Sequence, residues 1–65
     1  MKYYIGYYDN PQDKSEFTVI AITPSIYAAG FIRWAYMEND GLDEGDEDGY
    51  FVLTAAETAG KTLRY

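Results

Sequence analysis

The absence of both cysteine and histidine is the tightest constraint on what this 65-residue chain can fold into. A chain of this size buries only about 60% of the surface that its unfolded form exposes. Its core supplies about 3–5 kcal/mol, and small domains usually add a disulfide, a metal or a partner. Here no disulfide is possible, and neither thiolate nor imidazole is present to hold a structural zinc. Stability must come from packing, within the chain or shared with another. Eight Tyr, three Phe and one Trp make that feasible, since each aromatic can bury about 150–250 Å². The length allows a single domain, residues 1–65, and no residue set points to a cofactor.

Residues 2–8 are rich in Tyr and Ile and suit a strand. Tyr3, Ile5 and Tyr7 point one way, Tyr4 and Tyr8 the other. Residues 9–15 form a turn by composition. Residues 16–22 make a second strand, with Phe17, Val19 and Ala21 alternating against Thr18, Ile20 and Ile22. Both faces are apolar at its end, which places it centrally in a sheet, and the short polar link predicts a hairpin. Thr23, Pro24 and Ser25 mark a helix start. The helix should reach Glu38 or Asn39 and stop at Asp40-Gly41. A third strand is expected over 50–55. Thr54-Ala55-Ala56-Glu57 matches a capping box and allows one helical turn; otherwise 57–60 is a loop. Residues 61–65 return as a short fourth strand. The expected fold is α+β: an antiparallel sheet of three to four strands with one helix on one face, ββαβ or ββαββ.

That helix is too apolar for one small sheet. Residues 26–37 contain a single charge, Arg33, whereas a surface helix normally has a polar face. Helical spacing gathers Tyr27, Phe31 and Trp34 on one side and puts Ala28, Ile32 and Ala35 roughly opposite. One of these sides must be exposed, covered by residues 41–49 and the C-terminus, or covered by another chain. Exposed apolar patches mark interfaces, so the side with Tyr27, Phe31 and Trp34, or its opposite, is a candidate surface for a target contact or a homodimer. Gly30 is costly inside a helix and suggests close approach of another backbone.

The second unusual feature is acidic. Glu38, Asp40, Asp43, Glu44, Asp46, Glu47 and Asp48 place seven acids in eleven residues, with no base among them. The chain has eleven acids and five bases, net −6, so four acids face five bases elsewhere and the charge is local to this segment, the loop 40–49 and its edge. Three readings compete. One is a solvated loop that aids solubility. Another is calcium binding through Glu44, Asp46, Asp48 and Gly49, but the EF-hand pattern then breaks, because Ala55 stands where a bidentate Glu is needed. The third is an electrostatic decoy. Alternate residues of an extended segment lie about 6.6 Å apart, similar to the spacing of phosphates along a strand, so the carboxylates can occupy a basic groove and repel nucleic acid.

Other classes are disfavoured. Net negative charge opposes direct binding to nucleic acid or anionic lipid. Residues 1–9 lack the apolar run of a secretory signal, and no run of about 18 apolar residues could span a membrane, which makes the cytoplasm the expected location. His and Cys, the usual general base and nucleophile, are missing. Gly60-Lys61-Thr62 matches only the tail of a phosphate-binding loop. A non-enzymatic binder is expected.

The length, the two-strands-then-helix order of residues 2–39 and the acidic run 38–48 together resemble small phage-encoded inhibitors of host machinery. These include anti-CRISPR proteins, antirestriction DNA mimics and small inhibitors of host RNA polymerase. The resemblance implies a protein that blocks a nucleic-acid-handling complex in the host cytoplasm, its partner a protein with a basic nucleic-acid-binding surface. It carries over no individual functional residue. The chain departs from an all-over DNA mimic in its localised charge and its apolar helix. The competing expectation is a structural or regulatory subunit, or a homodimer, docking through the helix with the acidic loop only solubilising; an antitoxin-like neutraliser would share the first chemistry.

Overall fold

The computed structural model describes every residue except Glu44, Asp46, Glu47 and Asp48. Its elements are β1 (Tyr3–Asn10), β2 (Asp13–Thr23), α1 (Ile26–Asp40), β3 (Phe51–Thr54), α2 (Ala55–Thr58) and β4 (Thr62–Arg64). The strands form one sheet in the order β3-β1-β2-β4. β1 pairs antiparallel with both β2 and β3. The α+β layout with one main helix on the sheet is as expected. The sheet is mixed, however, because β4 pairs parallel to β2, Phe17 opposite Leu63.

Local chemistry sets the boundaries. The hairpin is tighter than composition suggested: both strands run on until only Pro11 and Gln12 separate Asn10 from Asp13. The Asn10 side chain accepts from the Gln12 N–H, and the Asp13 side chain accepts from the Ser15 N–H, side-chain turns that replace missing ladder bonds. Ser25 caps α1 by accepting from the Ala28 N–H. Gly41 ends it in the left-handed region at φ 69°, a conformation glycine adopts without a Cβ penalty. The capping box at Thr54 and Glu57 is present in both directions.

The alternation expected for β2 fails at Ile20. Ile5 pairs with Ala21 but Gly6 pairs with Val19, so Ile20 is the extra residue of a β-bulge. Phe17 and Val19 therefore share a face with Ile22, and Ala21 joins the opposite face. Gly6 stands where the bulge brings the strands close: a Cβ there would collide with the Thr18 carbonyl and touch the Phe17 ring.

Both faces of the sheet are covered. On one face, α1 is seated by Ala29 and Met37, both buried, above buried Ile5. The seat includes Arg33 and lies one residue round from the Ala28, Ile32 and Ala35 side, which is half-buried. On the far face, Phe17, Val19 and Leu53 form a cluster flanked by Tyr4, Tyr8, Phe51 and Leu63. β2 to β3 is a parallel crossover over β1, and β3 to β4 is a second one in the return direction. Parallel crossovers keep a right hand, and the same hand on a return journey requires the opposite face. The C-terminal stretch thus packs under the sheet: Lys61 Nζ lies 5.3 Å from the centre of the Tyr8 ring and donates to the Lys14 carbonyl. Burial, and then the nearby Glu57 carboxylate, raise the Tyr8 phenol above its ordinary pKa. At the hairpin end Arg64 joins β1, β2 and β4 by pairing with Asp9 and Glu16.

Candidate functional site

Two features remain after the core is assembled, and both lie on α1 or extend from it. The first is the outward side of the helix. Tyr27, Phe31 and Trp34 are 88, 66 and 55% exposed. Their spacing, three and four residues apart, aligns them along one line of the helix, and the Phe31 and Trp34 rings lie 6.0 Å apart between centres. The C-terminal stretch does not fold over them, since it is committed to the far face of the sheet. Ile26 and Gly30 are also exposed. No atom comes within 4 Å of a Cβ built on Gly30, so the backbone approach expected at that glycine does not occur within the chain.

The second feature is the acidic run. Glu38 lies in the last turn of α1 as expected, Asp40 joins it there rather than the loop, and Glu38 continues the Phe31–Trp34 line. Glu38, Asp40 and Asp43 are exposed. Glu44, Asp46, Glu47 and Asp48 lie outside the described residues, and with them the calcium-binding pattern. Among the described residues no group of three or more acidic side chains converges to hold a metal ion.

What the structure adds is how the described ends of this segment are fastened. Leu42 N–H donates to the Met37 carbonyl at 2.9 Å. At the other end Tyr50 N–H meets Met37 Sδ at 3.2 Å, and Arg33 Nε donates to the Tyr50 carbonyl at 2.6 Å. The Tyr50 hydroxyl donates to Asp40 at 2.6 Å. The Tyr50 ring packs against Tyr7 of β1 and Tyr36 of α1. Both ends of the segment are thus tied to the last two turns of the helix. Arg33 and Tyr50 were missed as anchors by sequence reasoning. The signal for Arg33 was its place midway between Ala29 and Met37, four residues from each, on the sheet-facing line. Tyr50 carried no such signal, because its partners come from two separate elements, β1 and α1, both distant from it in sequence.

The hydrogen bond to Asp40, followed by burial and the Asp40 charge, pushes the Tyr50 phenol up to about 12. A phenol whose folded pKa exceeds its unfolded value of 10.0 holds its proton longer in the folded state. Its stabilising contribution is complete below that unfolded value and is lost as pH rises through the folded one. Tyr50→Phe should therefore cost about 1 kcal/mol at neutral pH, a typical net hydrogen bond, and flatten part of the alkaline loss of stability between about pH 10 and 12. Urea melts of both proteins across that range check this; parallel wild-type and variant curves would contradict it.

No protein-family model matches the chain, nor does any curated protein or solved structure at the similarity required. No helix among the described residues is long and apolar enough to cross a membrane.

Proposed function

We propose that this chain is a non-enzymatic inhibitor that binds a protein through the acidic run 38–48 and occupies that protein's basic nucleic-acid-binding surface. The supporting observation is the concentration of seven of the eleven acids in one segment, with its described ends fastened to one end of α1. Fixing both ends limits the conformational entropy that binding must remove. Clustered like charge speeds encounter with an oppositely charged groove. The non-enzymatic reading is supported by the lack of His and Cys and of any buried polar or charged side chain among the described residues; desolvation is what tunes a catalytic acid or base.

Affinity capture from a bacterial lysate with elution at stepped salt tests this reading. A nucleic-acid-handling protein should be retained at low salt and released as salt rises. A variant with Asp43, Glu44, Asp46, Glu47 and Asp48 all changed to Lys should lose it. Retention of the same partner by that variant would defeat the proposal.

The exposure of Tyr27, Phe31 and Trp34 favours a second reading, a subunit or homodimer that docks through α1. Under it, binding survives charge reversal and is lost when Phe31 or Trp34 is cut back to Ala.

A further inference from the structure

We infer that the open edge of β2 over Val19–Thr23 takes up a short extended segment of a partner protein, added to the sheet as a further strand. This site is separate from the acidic run and from the outward side of α1, and it depends on neither reading above. β4 lies beside β2 on the side away from β1, and its pairing covers only Glu16, Phe17 and Thr18. β2 continues past Thr18 to Thr23, held there by β1 on its other side. The row that β4 begins is therefore unfinished. Backbone N–H and C=O groups point alternately to the two sides of a strand. Those of Val19–Thr23 that point away from β1 meet no strand. Among the described residues no side chain or turn supplies them with a hydrogen bond.

The edge specifies its occupant. Only an extended backbone offers donors and acceptors at the two-residue spacing of a strand edge. Val19–Thr23 has no charged residue and no proline, two devices that keep natural edges from pairing. The bulge at Ile20 is a third such device, and it confines regular pairing to the part of the edge beyond it. The docked segment is therefore short and its binding weak. On the far face its side chains lie beside Ile22, which is 45% exposed, and on the helix face beside Ala21, so β-branched residues at alternate positions fit. The net charge of −6 favours lysine or arginine at the ends of the segment. A second copy offering its own β2 would bring the same negative charge and is disfavoured. The other open edge, β3, is shorter and leads straight into α2. Beside β2, by contrast, β4 shows that the row admits a strand at pairing distance.

The probe is a capped peptide of alternating valine and threonine, about five residues long, with paired lysines at each end. A few backbone hydrogen bonds set against the cost of association give a dissociation constant on the order of 0.5 mM. At about 5 mM peptide, the amides of Val19–Thr23 that point away from β1 should exchange with deuterated water about ten-fold more slowly. A peptide N-methylated on alternate residues keeps one edge able to pair and should protect equally well. A peptide N-methylated throughout its core keeps its lysines and side chains but cannot pair, and should protect nothing. Equal binding of the fully methylated peptide would mean attraction to the acidic run or a side-chain contact, and overturns the proposal. Loss of binding by the alternately methylated peptide would mean that both edges are needed, as for insertion between strands, and overturns it too. Protection at Phe51–Thr54 in place of Val19–Thr23, or none anywhere at about 5 mM, is equally fatal.

Discussion

Gly6→Ala is expected to remove about half or more of the stability of the fold. The added methyl would meet the Thr18 backbone carbonyl of the paired strand, with the Phe17 ring behind it. A flexible side chain could move aside, but a carbonyl held in a central ladder cannot move without breaking the β1–β2 pairing. Replacing glycine normally gains about 0.4–1 kcal/mol by restricting the unfolded chain. Overpacking a rigid site costs about 3 kcal/mol or more and wins. A domain of this length has about 3–10 kcal/mol in total, at about 0.05–0.15 per residue. The urea midpoint should fall by about half or further, read by the far-ultraviolet circular dichroism of the sheet and helix. The opposite sign is expected at Gly30, where the surroundings are open and Ala should add up to about 1 kcal/mol. Equal effects at the two glycines would contradict the close approach at the bulge.

Phe17→Ala should be comparably damaging, at about 3–5 kcal/mol. Phe17 is fully buried; its ring lies 5.1 Å from that of Tyr8, edge-on, and β4 brings Leu63 opposite it. Truncation leaves a cavity where three strands meet. β4 has only three residues, so its parallel pairing with β2 should be released first. Loss of amide protection at Thr62–Arg64 before the rest of the sheet, measured by hydrogen exchange, would mark that order. The Phe17 ring also closes over Gly6, so the two sites are coupled. The double variant Gly6→Ala/Phe17→Ala should fall short of the summed losses, because removing the ring relieves part of the Gly6 clash. Strict additivity would show that the clash is with backbone alone.

How far the fold could be read depended on whether each signal was local. The caps at Ser25, Gly41 and Thr54 were legible because capping needs only residues a few positions apart. Strand content was legible from the Tyr- and Ile-rich runs. The bulge at Ile20 was not, because nothing in residues 16–22 records that the partner strand carries a glycine at position 6. The parallel pairing of β4 was equally hidden, since it depends on which edge of the sheet is free after β3 takes its place. For the candidate site, the local concentration of acids and the alignment of Tyr27, Phe31 and Trp34 along one side of the helix could be read directly, though not that this side faces outward. The anchoring of the acidic run could not, because Tyr50, Asp40, Arg33 and Met37 meet only when α1 lies across the sheet.

The sequence by itself determined that this chain has no disulfide or thiolate–imidazole zinc site to lean on, that its negative charge is concentrated in residues 38–48, and that its helix is more apolar than a single sheet requires. These are properties of composition and of spacing along one helix. Only the tertiary structure decided which apolar side of that helix is left outside. The choice was made by the seating of α1 through Ala29 and Met37, and the C-terminal crossover left the outward side open: its right-handed return path carries α2 and Lys61 under the sheet, where they cover Tyr8 and the far-face core. That leaves no chain to cover Tyr27, Phe31 and Trp34 among the described residues, and so the helix presents an exposed apolar face.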